Sequence, residues 1–157
     1  FDVLCYFRSF SDAIEFNDFL EPRLVGEWNN YTKEDQAITD IYDMTLTEYN
    51  IPLTKTNITY DDLVKEIRKY DGALVLAHIN RPSCTPLSVY KLEDMEFDGI
   101  EIQPYKKEEY IKKNEYLRNY KIFSNSDSHS LLTLHEDTEA IELEEKSIDA
   151  FFAYLKG

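Results

Sequence analysis

Three short stretches hold most of the residues that could do chemistry. They are His78-Ile79-Asn80-Arg81-Pro82-Ser83, Gln103-Pro104-Tyr105 and Asn125-Ser126-Asp127-Ser128-His129-Ser130. Each closes a short apolar run: ALVLA at Ala73–Ala77, GIEIQ at Gly99–Gln103 and YKIFS at Tyr120–Ser124. The chain has 3 histidines, so finding two of them at run ends is a signal about placement. In Asp127-x-His129, extended backbone makes residues two apart point the same way. One carboxylate oxygen and one imidazole nitrogen can then converge on a cation. Such mixed ligation suits zinc, manganese or iron better than calcium or magnesium. His78, from another run, is a candidate for the same cluster. Arg81, with Ser83 nearby, is a natural phosphate fork in so acidic a chain.

Each of these residues also has a plainer reading. An aspartate orients a loop by capping backbone N–H groups, and a lone histidine is commonly a structural hydrogen-bonder. Arg81 serves a surface ion pair as readily as a phosphate. Together, at matching strand ends, the residues favour a metal cluster. His135-Glu136-Asp137 reads as a solvated turn, and Glu142–Glu145 as a charged surface. No Walker loop, glycine-rich dinucleotide turn or nucleophile elbow occurs. Neither Cys5 nor Cys84 has the spacing of a zinc or redox motif.

The elements that must position these groups alternate. Val3–Phe7 (VLCYF) reads as a buried strand. Ser11 and Asp12 offer N-caps for a helix carrying Ile14, Phe16, Phe19 and Leu20, which Pro22 and Gly26 bring towards its end. Glu27–Leu53 stays open between a hairpin and a short helix, on alternation such as Ile38, Asp40, Tyr42. Thr59 caps a helix through Tyr70, with Leu63, Val64 and Ile67 on one face and Gly72 as its stop. Strand Ala73–Ala77 is followed by a short helix over Thr85–Leu92. Strand Gly99–Gln103 precedes a charged helix over Lys106–Asn119. Strand Tyr120–Ser124, a last strand at Glu139–Leu143 and a helix over Ser147–Leu155 complete the pattern. Strands alternating with helices imply right-handed parallel β/α units, in an open sheet or a barrel. In such folds functional groups gather at the carboxyl ends of the strands.

The 157 residues fit one domain with a single core. Asp+Glu is 31 against Lys+Arg 17, a net charge of -14, which argues against a broad nucleic-acid surface or an anionic membrane face. It leaves room for a small phosphorylated substrate, because a bound metal reverses the sign locally. A hydrophobic fraction of 43% with 14% aromatics is too high for a disordered acidic chain. No apolar run approaches the roughly 20 residues that span a bilayer. Two cysteines make no disulfide framework, so a reduced, cytoplasmic setting is expected.

LVLAHINRPS and IFSNSDSHS resemble the later motifs of the polymerase and histidinol phosphatase (PHP) domain. VLCYF with the helix after it, GALVLAH and FDGIEIQ also resemble successive strands of that family. The resemblance covers most of the chain and is weakest across Glu27–Leu53. It implies an α/β fold, a distorted (β/α)7 barrel of parallel strands. It further implies up to three divalent metal ions (zinc, manganese or iron) and hydrolysis of a phosphomonoester or phosphodiester by a metal-bound hydroxide. His78, Asp127 and His129 would be metal ligands, and Arg81 with Ser83 would contact phosphate. The family's opening His-x-His motif has no counterpart here. Asp2 stands where the family usually has a ligand histidine, so Asp2 is a further candidate ligand. On this reading residues 1–157 are the C-terminal portion of a single PHP-like metal-dependent hydrolase domain, opening mid-strand at Phe1 with the N-terminal barrel strands absent.

The leading expectation is a metal-dependent phosphoesterase in the intact parent protein. The chain alone would hold few or no metals, hydrolyse little, and self-associate through exposed barrel edges. A catalytically silent binding or regulatory domain is the alternative, motivated by Asp2. An amidohydrolase-type barrel cleaving C–N bonds is a third reading, against which Arg81 leans.

Overall fold

The computed structural model describes residues 1–25, 37–48, 55–128, 131–134 and 140–157. These divide into two compact units, Phe10–Leu63 and Phe1–Ser9 with Val64–Gly157. The chain is a mixed α/β protein, with four α-helices among the described residues.

In the unit Phe10–Leu63, helix α1 (Phe10–Leu20) runs into a 3-10 turn at Glu21–Arg23, with Pro22 in its first positions. The helix begins one residue before Ser11, so Ser11 and Asp12 sit in its first turn rather than capping it. Phe16 is buried and stacks on Phe19, over which the Arg23 guanidinium lies at 3.8 Å. Strands β2 (Ala37–Thr39) and β3 (Thr45–Glu48) pair antiparallel, which decides for the hairpin over the short helix within residues 37–48. Asp40 organises its turn by accepting from the backbone N–H groups of Tyr42 and Met44. Residues 26–36 and 49–54 lie outside the described part.

Helix α2 (Tyr60–Lys69) follows the expected pattern. Thr59 Oγ1 accepts from the Asp62 N–H and donates to the Asp62 carboxylate, a reciprocal cap. The helix stop has a different cause from the expected one. Asp71, not Gly72, takes the left-handed conformation, at φ 51°. Gly72 is needed for close approach, since a Cβ there would lie 2.7 Å from Ile67 Cγ2 and 3.0 Å from the Tyr6 carbonyl oxygen.

The other unit is built on one sheet of four strands: β1 (Val3–Tyr6), β4 (Ala73–Leu76), β5 (Gly99–Glu101) and β6 (Ile122–Phe123), in the order β1-β4-β5-β6. β4, β5 and β6 are parallel, as the alternation predicts. β1 corrects the all-parallel expectation, because it pairs antiparallel with β4, Val3 opposite Leu76 and Tyr6 opposite Ala73. Direction is set by how often the intervening chain reverses, and the apolar side chains of VLCY carry no record of it. The sheet is therefore mixed. Ala73, Leu74, Val75 and Leu76 have no solvent exposure, so β4 is covered on both faces, which explains its unbroken apolar run. Helix α4 (Ile148–Lys156), capped by Ser147 Oγ, packs Phe152 and Leu155 against Ala73 and Val75 on one of them.

Three further expectations need correction. Thr85–Leu92 forms 3-10 turns at Pro86–Ser88 and Leu92–Asp94 instead of a helix, the first ending with the Val89 N–H on the Pro86 carbonyl. Lys106–Asn119 splits into helix α3 (Lys107–Lys113) and a 3-10 turn at Glu115–Asn119. Asn114 breaks it, turning its own side chain back onto the Tyr110 carbonyl. Of the expected strand Glu139–Leu143, Glu139 lies outside the described residues and residues 140–143 form no strand; Ala140, Ile141 and Glu142 line a groove of about 340 Å³ with residues 122–125 and Tyr154. No described helix is long and apolar enough to cross a membrane.

Candidate functional site

The carboxyl ends of β4, β5 and β6 are joined by one polar network. Its lowest rung is backbone: Ile79 N–H donates to the Glu101 carbonyl at 2.9 Å, and Ile102 N–H to the Phe123 carbonyl at 2.9 Å. Above it, side chains take over where the strands end. Asn80 grips the Gln103 backbone from both sides, its Oδ1 accepting from the N–H at 2.9 Å and its Nδ2 donating to the carbonyl at 3.3 Å. Ser124 Oγ, buried, donates to the Ile102 carbonyl.

Asp127 sits at the top of this network in the left-handed region, at φ 51°. Its Oδ2 accepts from Arg81 Nη1 at 3.1 Å and from Gln103 Nε2 at 3.0 Å. The structure thus brings Arg81 and Asp127 together. It also brings His78 and Asp2 together, with His78 Nε2 lying 3.1 Å from Asp2 Oδ2. Here the antiparallel β1 matters, since the Ala77 N–H donates to the Asp2 carbonyl and so delivers Asp2 beside the next residue. The His78 ring is buried, its backbone strained at φ 33°, and its Nδ1 has no hydrogen-bond partner. A buried polar atom left so is uncommon and calls for a ligand or a functional reason. Ser83 is exposed. His129 and the His135-Glu136-Asp137 cluster lie outside the described residues.

Glu101, which the motifs did not single out, is the buried carboxyl of the site. Only 3% exposed, it accepts from Asn125 Nδ2 at 3.3 Å. Burial pushes its carboxyl above the usual carboxylate range, and the Asp127 charge adds to the effect. The Asn125 hydrogen bond and the His78 charge oppose it. Its field reaches the Tyr6 phenol, which burial and then Glu101 push up. A lone acidic residue inside GIEIQ was the available signal. Gln103, Asn80 and Asn125 stand in the stretches at the run ends, but their roles were not readable there, because an amide at a strand end is ordinary until its partners are known.

Imidazole nitrogen and carboxylate oxygen are donor types that a borderline transition-metal ion takes, and here the buried His78 ring has an unpartnered Nδ1 while its Nε2 faces the Asp2 carboxylate. Among the described residues, no group of three His, Cys, Asp or Glu side chains is arranged to hold one. A larger groove of about 520 Å³ opens at the other ends of β5 and β6, beside Asp98 and Lys121, away from this chemistry. Comparison with family models, curated proteins and solved structures finds no match to the chain.

Proposed function

We propose that the parent protein is a metal-dependent phosphoesterase of the PHP type, with this chain supplying the later part of a barrel. The observation that carries the reading is the placing of two pairs, His78 with Asp2 and Arg81 with Asp127, past the carboxyl ends of parallel strands, with the His78 Nδ1 buried and unpartnered. His78, Asp127 and His129, with Asp2, would hold the ions. A bound divalent ion supplies Lewis acidity towards water and phosphoryl oxygen. The chain's own residues bind and orient. Arg81, presenting a planar fork beside Asp127, would take the phosphate oxygens of a small phosphorylated substrate. Gln103 keeps Asp127 in place if Arg81 turns to substrate. The test is hydrolysis of phosphomonoesters and phosphodiesters by the intact protein with manganese or zinc, beside Asp127→Ala and His129→Ala. Loss of turnover in both variants is expected, and undiminished turnover in both would sink the reading.

One observation favours a second reading, a catalytically silent binding domain. Arg81 already neutralises Asp127 across 3.1 Å, supplying the positive charge a cation would bring. Equilibrium dialysis separates the two readings, since a silent domain of this kind takes up no divalent ion.

A further inference from the structure

We infer that Gln103 is a positioning residue for Asp127, held in turn by Asn80, so that a ladder of side chains replaces the backbone ladder where β6 ends. The geometry is specific. β5 and β6 pair in register, Glu101 opposite Phe123, and β6 stops there. Beyond that point Glu101 engages Asn125, and Gln103, two residues on, engages Asp127, two residues on from Asn125. Left alone, an ordinary amide side chain at a strand end would be mobile. Here Asn80 removes that freedom by bonding both the N–H and the carbonyl of Gln103, which leaves the Gln103 side chain to aim at Asp127 Oδ2.

Asp127 needs such support. Its backbone is left-handed, a conformation a non-glycine residue holds only when its surroundings enforce it. Arg81 cannot supply this by itself, because a guanidinium recruited to a phosphate would leave the carboxylate. Gln103 is neutral and carries no charge to lose to a substrate. It keeps one Asp127 oxygen oriented whichever partner Arg81 takes. Hydrogen-bond partners of this kind orient metal-binding carboxylates, and losing one typically weakens metal affinity about 10–100-fold.

The test uses the 157-residue chain as it stands, with Gln103→Met and, as a closer isostere, Gln103→Glu. In the metal-free chain, 15N relaxation at the Asp127 and Ser128 amides reads the loop directly. Both variants should lower the order parameters there towards the flexible range, below about 0.6, while β4 stays rigid near about 0.85. The metal arm rests on the phosphoesterase reading. With manganese as probe, Gln103→Met should raise the dissociation constant about 10–100-fold. If the unsubstituted chain binds no manganese, as is expected of it apart from its parent, the relaxation arm alone decides the inference, and the phosphoesterase reading is left to the assay of the intact protein. An unchanged loop in both variants overturns it. So does an unchanged manganese affinity in a chain that binds manganese.

Discussion

His78 Nε2 and Asp2 Oδ2 lie 3.1 Å apart, joining a ring that is almost wholly buried to a carboxylate that is 64% exposed. The pair spans the one antiparallel junction of the sheet. Removing the Asp2 carboxylate strands both ring nitrogens, since Nδ1 already has no partner. Asp2→Ala should cost about 1–3 kcal/mol, the desolvation penalty of an unsatisfied buried group. Asp2→Asn, which keeps an acceptor oxygen, should cost less. Urea unfolding of the three proteins checks this, and equal midpoints for Asp2→Ala and the parent chain would refute it.

Arg81 and Asp127 are both partly exposed, at 32% and 22% of their side chains. Such a pair contributes at most about 1 kcal/mol to folding. A phosphate bound by the same guanidinium would lose a charged hydrogen bond of about 1.5–3 kcal/mol, some 10–100-fold in affinity. Arg81→Ala in the intact protein is therefore expected to raise the KM for a phosphoester far more than it lowers the urea midpoint. A variant with unchanged KM would remove Arg81 from the binding role.

Gly72→Ala should destabilise by about 1–3 kcal/mol, because the added methyl meets backbone oxygens of Ile67 and Tyr6 at 3.0 Å as well as Ile67 Cγ2. Backbone on two sides leaves little room to yield. A midpoint within error of the parent would show that the α2–β4 turn relaxes more easily than this packing implies.

Glu101 makes stability depend on pH with a definite sign. Its folded carboxyl is raised above the ordinary value, so between the unfolded and folded pKa values the native state binds more protons than the unfolded state. Stability from this group is present at low pH and falls as pH rises through the folded pKa. Glu101→Gln removes that fall. The variant should gain on the parent in urea unfolding as pH rises above the ordinary carboxylate range, and a gap that stays constant as pH rises would contradict the assignment.

The two thiols should react very differently. Burial pushes Cys5 up to about 12, whereas Cys84 is exposed. Native protein at pH 8 should lose one thiol quickly to an alkylating reagent and the second only when unfolded. Peptide mapping identifies which is which, and rapid labelling of native Cys5 would contradict its raised thiol pKa. The expected buried strand at Val3–Phe7 is in fact half-buried over Val3–Tyr6.

Periodicity and caps, read from sequence alone, placed the elements whose causes are local. The Thr59 cap and the buried ALVL run are set by side chains within a few residues of one another. The placement of His78, Arg81 and Asp127 was legible for the same reason, since each follows an apolar run that forms a strand. What tertiary structure alone decided is which groups meet. The antiparallel β1 delivers Asp2 to His78, Asn114 breaks the charged helix, and residues 140–143 join no strand. Glu101 and Gln103 became site residues only through Asn125 and Asp127, 24 residues further along the chain. Strand direction and side-chain partnership depend on contacts distant in sequence, and no local pattern of residue types encodes them.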